Sequence, residues 1–177
     1  MQTSAAQVPK RNFDGLFVHA LKPTGDFARS LLEIGYDPAA ELEHYPLEVW
    51  RSALRVAREH AFPGLPMEKA NRVLGHRYVE GFAQTLVGRI FATAAPMLGT
   101  ERCLSRMPTY LRAGREDIRM LLDVVHEREW RVMVEDVDPL PDFVAGVLEA
   151  VLLLTRAEPT VDIIDRTELR YTLRVRW

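Results

Sequence analysis

The chain has 177 residues, 47% hydrophobic and 27% charged, the proportions of an ordinary globular domain, which excludes the sparse hydrophobicity and high net charge of disordered chains. Its 23 Lys and Arg stand against 25 Asp and Glu, a formal net charge of -2, so there is no broad attraction to nucleic acid or to an anionic membrane surface. Cys103 is the only cysteine, which excludes an internal disulfide and a multi-cysteine zinc site.

Residues 1–10 are polar and without an apolar core; they read as a disordered tail, neither signal peptide nor membrane anchor. Residues 11–177 read as a single domain. The longest apolar run, 143–154, is interrupted by Glu149 and is too short to span a bilayer. A cytoplasmic location is expected.

Residues 13–21 have the aromatic and branched content of a strand ending at Pro23. Thr24 can cap a helix to about Tyr36 through Phe27, Leu31, Leu32 and Ile34. Tyr45-Pro46 opens a clearer helix, with Val49, Trp50, Ala53, Leu54 and Ala57 at helical spacing. Pro63, Gly64 and Pro66 break it.

From Met67 to about Ala95 one long helix is expected, with Ala70, Leu74, Tyr78, Phe82, Leu86 and Ile90 at i, i+4 spacing. Gly81 and Gly88 lie close to that side, and helix-interior glycines are justified where a backbone packs closely. Thr100 can cap a short helix carrying Cys103, Leu104 and Met107, ending before Pro108.

The pattern then becomes extended. Residues 118–125 and 131–137 form a hairpin around His126-Glu127-Arg128-Glu129. Phe143, Val144, Val147, Leu148, Val151 and Leu152 mark a deeply buried helix. Leu169, Tyr171, Leu173, Val175 and Trp177 alternate with Arg170, Thr172, Arg174 and Arg176 in a final strand, whose hairpin partner is 160–164. The fold class is therefore α+β: a helical N-terminal half, then hairpin–helix–hairpin forming an antiparallel sheet with helices packed on one face.

Signatures of chemistry are weak. His76 and Glu80 share a helix face but have no third ligand nearby, so a surface pair, or a Glu80 ion pair with Arg77, is the preferred reading and no metal site is expected. Glu127, Glu129, Glu135, Asp136 and Asp138 crowd one hairpin, where acidic side chains are usually solvated and suppress edge pairing. Arg166, Arg170, Arg174 and Arg176 make either an anion clamp or, more simply, a charged outer sheet face. Nucleophile-elbow and dinucleotide patterns are absent. Cys103 reads as a buried structural thiol.

Leu74-Gly75-His76-Arg77-Tyr78-Val79-Glu80-Gly81-Phe82, Thr85, Gly88-Arg89, Asp136-Val137, Pro141, Gly146-Val147-Leu148-Glu149 and Arg176-Trp177 resemble the signature of an uncharacterised paralogous family expanded in myxobacteria. The second half is also distantly similar to the vinyl-reductase, haem–nitric-oxide-binding and trafficking-complex group of α/β domains. That likeness implies binding of small hydrophobic ligands or proteins between helices and sheet. The haem branch carries a proximal histidine and Tyr-x-Ser-x-Arg, whereas Tyr171 here is followed by Leu173 and Val175, so no cofactor is expected.

The expectation is a non-catalytic regulatory or sensory domain, binding a small hydrophobic ligand or a partner protein as a homodimer. Tyr78, Phe82, Arg89 and Tyr171 are the candidate ligand-lining residues, because they pair aromatic surface with a few polar tips. The alternatives are a hydrolase-type enzyme using the acidic or His/Glu groups, and a purely structural homo-oligomeric protein.

Overall fold

The computed structural model describes residues 6–115 and 117–177. Strand β1 (Gln7–Pro9) pairs antiparallel with β2 (His44–Pro46), with Val8 opposite Tyr45. Residues 7–10 of the expected tail are therefore held, Val8 being fully buried, and 1–5 lie outside the described residues. Helix α1 (Lys10–Phe13) continues into a π-helical segment, Asp14–Leu21.

That segment corrects the strand expected over 13–21. Its buried residues Phe13, Leu16 and Phe17 are spaced i, i+3, i+4, which is a helical face, and tertiary packing overrides the β-rich composition. Gly15 supplies part of the reason. It lies against Gly81, where a Cβ would come within 2.5 Å of the Gly15 carbonyl carbon, so the segment packs backbone to backbone on the next helix layer.

Helices α2 (Gly25–Glu33) and α3 (Leu47–Ala61) follow. The second starts immediately after Pro46, whose φ of -56° and ψ of 146° turn the chain into the helix. Phe13 gathers Tyr36, Tyr45 and Trp50 around it, each at a centroid distance of 4.9 Å. Trp50 carries this aromatic core onward to Tyr78 at 6.1 Å and Phe143 at 6.2 Å.

The long helix expected to Ala95 is two helices, α4 (Met67–Gln84) and α5 (Leu86–Leu98). Thr85 separates them: its extended backbone breaks the first helix, and its hydroxyl accepts from the Gly88 amide at 3.0 Å to cap the second. Helix α6 (Thr100–Gly114) runs through Pro108, where a stop was expected, and buries Cys103, Leu104 and Met107.

Strands β3 (Arg119–His126), β4 (Glu129–Glu135), β5 (Thr160–Arg166) and β6 (Arg170–Arg176) form one antiparallel sheet in the order β3-β4-β6-β5. Helix α7 (Pro141–Leu153) lies between α4 and this sheet and is buried along nearly its whole length. Tyr171, Leu173 and Val175 are inaccessible, as the alternation in the last strand requires. Leu169 is the exception, because it precedes the strand and is exposed.

The layering depends on two glycines. A Cβ on Gly75 of α4 would come within 2.7 Å of the Val147 amide nitrogen, and one on Gly146 of α7 within 2.9 Å of the Arg72 carbonyl carbon. Real side chains do not tolerate such distances to backbone, so the helices touch where each lacks one.

Candidate functional site

The seam between α4, α7 and the sheet is where a lined pocket was expected. On its helical side, aromatic side chains of α3, α4 and α7 pack together. The Tyr78 ring packs on Phe143 at 5.7 Å and on Trp50, and burial pushes its phenol up to about 12. Phe82 lies against Phe91 at 6.3 Å. Arg89 is exposed on α5. Tyr171 is fully buried on β6, and among the described residues its hydroxyl has no hydrogen-bond partner. The four candidate lining residues thus occupy separate environments, and none lines either of the two depressions described below.

Tyr171 stands near the most elaborate buried charge cluster of the molecule. Arg115, at the end of α6, donates to Asp136 Oδ1 at 2.7 Å and Oδ2 at 3.3 Å, and also binds Asp117. Burial disfavours the guanidinium, but hydrogen bonds and charge from the two aspartates outweigh it and hold Arg115 above its ordinary value. Burial dominates at Asp136 and pushes its carboxyl up against the pull of Arg115. Tyr171 is raised far above a normal phenol, by burial first and then by the Asp136 charge. Tyr171 therefore stays neutral beside the Arg115–Asp136 ion pair.

Several of the other polar candidates are engaged in contacts between elements of the fold. His76 Nε2 lies 3.0 Å from Glu149 on α7, not against Glu80, which pairs with Arg77 at 2.7 Å as the surface reading expected. Glu149 also takes Arg72 at 3.2 Å, and Arg72 donates to the Val161 carbonyl of β5. This network joins α4, α7 and the sheet. On the outer sheet face Arg174 and Arg176 both reach Asp162, so that carboxylate occupies two members of the proposed clamp.

Asp136 and Asp138 of the acidic hairpin pair with Arg115 and Arg51. Among the described residues no three His, Cys, Asp or Glu side chains are grouped to hold a metal. The Cys103 thiol is buried and raised above its usual value by that burial.

Two depressions lie at the ends of the sheet. One, of about 720 Å³, is rimmed by Arg102, Arg128, Arg156, Glu101, Glu127 and Trp177, among others. The second, of about 430 Å³, is lined by Asp117, Glu135, Asp136, Val137, Thr167, Leu169 and Arg170. The first is rich in charge, which suits solvent better than an apolar ligand, whereas the second sets Val137 and Leu169 among its charged residues.

Among the described residues the four most exposed large apolar side chains are all on α5. Leu86 and Ile90, expected to continue a buried stripe, are instead 69% and 65% exposed, and Val87 and Met97 are 66% and 86% exposed. The helix swings outward at Thr85 and turns these residues to solvent. Their spacing was visible in the sequence, but the reading of one unbroken helix assigned them to the core.

Helices clasped over one face of a four-stranded antiparallel sheet, behind a helical N-terminal layer, define the fold class of the H-NOX domains. An oxygen-binding H-NOX domain related to soluble guanylate cyclases superposes with a TM-score of 0.69 at 16% identity, over 94% of this chain and 91% of that one. A mutant of the T. tengcongensis H-NOX gives 0.65 at 15% identity, over 95% and 96%. A Cs H-NOX mutant carrying the unnatural amino acid 4-cyano-L-phenylalanine gives 0.63 at 16% identity, over 96% and 95%. These likenesses establish the fold.

By sequence the chain belongs to the family described as protein of unknown function (DUF2378), which matches residues 6–177. No curated protein matches it. Among the described residues no helix is long and apolar enough to cross a membrane.

Proposed function

We propose that this chain is a non-catalytic regulatory or sensory domain of the cytoplasm that works as one α+β unit and as a homodimer, binding partner proteins through its surface. The observation that carries this reading is the distribution of apolar groups. Tyr78, Trp50 and Phe143 pack together where α3, α4 and α7 meet, and α4 and α7 touch backbone to backbone, while Leu86, Val87, Ile90 and Met97, the most exposed large apolar side chains among the described residues, stand out on α5. Large exposed apolar patches mark interaction sites.

Haem, which the H-NOX likeness raises, does not fit the residues present. His44, His60 and His126 are exposed, His60 is stacked on Phe27, and His76 is engaged with Glu149. His19 is half-buried on the π-helical segment, and no histidine lines either depression. Cys103 is a buried thiol packed between α5 and α6, with its Sγ 4.0 Å from the Ala95 carbonyl oxygen. None of these presents an axial ligand to an apolar cavity. Of the groups the enzyme alternative would use, Asp136, Asp138 and His76 are already engaged with Arg115, Arg51 and Glu149.

Native mass spectrometry of the purified protein tests the reading. Protein-only dimers are expected. A stoichiometric small molecule retained on the chain would replace the partner-binding reading with the small-ligand one, and stoichiometric metal would favour the enzyme.

A further inference from the structure

We infer that α5 is the seam of a two-fold dimer, in which the α5 helix of a second copy lies antiparallel against it. This deepens the proposal above, since it rests on the homodimer reading and names the surface.

Leu86, Ile90, Thr93 and Met97 are all exposed and are spaced four, three and four residues apart. That is the spacing of a and d positions, which place one straight stripe along a helix facing a partner helix. Val87 and Ala94, seven apart, widen the stripe on one side. The backbone is set for the role by Thr85, which starts a new helix and carries the stripe away from the core.

The pattern matches itself. In an antiparallel two-fold pair centred between Phe91 and Ala92, Leu86 faces the second copy's Met97 and Ile90 faces its Thr93. Bulky side chains then meet at both ends, and each isoleucine enters the space left by the small threonine at the centre. A two-fold interface requires this reciprocity, with residue i on j and j on i.

Charge agrees with the same arrangement. Arg89 is the one charged residue of α5, is exposed, and makes no ion pair among the described residues. In the antiparallel register it falls opposite Ala94, near the carbonyl end of the other helix, where a cation is favoured. The two Arg89 side chains are not opposed. A parallel pair would bring them together at matching depth and align both helix dipoles.

Light scattering on size-exclusion-separated protein over a concentration series tests the seam. The wild type is expected to have the mass of two chains. Ile90→Glu, at an exposed position, should raise the dimer dissociation constant at least about 30-fold, the loss typical of a central interface anchor. Its circular dichroism and melting should match those of Val124→Glu, an exposed apolar position on the sheet whose variant should remain dimeric. The double variant Leu86→Cys/Met97→Cys should form a disulfide-linked dimer on oxidation. A dimer that survives Ile90→Glu and resists this cross-link overturns the α5 seam while leaving the homodimer reading intact. A wild type monomeric at all concentrations overturns both.

Discussion

Gly75 on α4 and Gly146 on α7 oppose each other across the helix crossing, each packed against the other helix's backbone. Alanine gains about 1 kcal/mol of helix propensity over glycine, but here its Cβ has no room and the obstacle is main chain, which cannot rotate away. Gly75→Ala and Gly146→Ala should each lower stability by about 2 kcal/mol net, the cost of overpacking exceeding the propensity gain. Urea denaturation with an unchanged m-value would show it.

Arg115 and Asp136 form a buried pair, Asp136 being only 3% exposed. Removing one partner strands a charge out of water, so Arg115→Ala should cost about 3 kcal/mol or more. Asp136→Ala/Arg115→Ala together should cost less than the sum of the two single changes. A double-mutant cycle of unfolding free energies measures the difference.

The Tyr171 hydroxyl is buried without a partner, a state that costs stability rather than adding it. Tyr171→Phe should therefore raise stability by about 1 kcal/mol, read as a higher urea midpoint. The opposite sign would mean that an ordered water or ligand satisfies the hydroxyl in solution.

Alkaline pH should destabilise the fold steeply. Tyr36 and Tyr171 are both buried, and burial leads the causes that raise them far above a normal phenol, with a hydrogen bond to Asp14 adding at Tyr36. Above about pH 10 the unfolded chain releases protons that the folded chain keeps, so the unfolded state gains. Stability is complete below that pH and declines above it, by up to about 1.4 kcal/mol per pH unit for each tyrosine. Tyr171→Phe should flatten the decline, as followed by chemical denaturation between pH 9 and about 11.

Thr85 holds the start of α5 by accepting from the Gly88 amide and donating to the Phe82 carbonyl at 2.7 Å. Thr85→Ala should cost about 1 kcal/mol, concentrated in α5. Hydrogen exchange should accelerate about fivefold in the α5 amides and little in α7.

Much of the second half was legible because its signals are local. The β6 alternation placed Tyr171, Leu173 and Val175 inward, and the apolar run from Phe143 to Leu152 marked α7. The first half was less so. Residues 13–21 carry strand-forming side chains, yet they sit in a helix because Gly15 and Gly81 allow two backbones to meet. Thr85 looked like one polar residue within a long periodic run, and only its extended backbone shows a cap. The candidate lining residues Tyr78, Phe82, Arg89 and Tyr171 were chosen by side-chain type, which carries no information on whether side chains converge.

By itself, then, the sequence determined the periods: which positions of each segment are apolar, and hence the α+β order of the C-terminal half. These are properties of neighbours along the chain, set by helix and strand geometry. The tertiary structure decided what each apolar face meets. It turned α7 into the core and α5 toward solvent although both are apolar helices, because burial depends on which surfaces reach one another, and the close contacts at Gly75 and Gly146 seat α7 directly on α4.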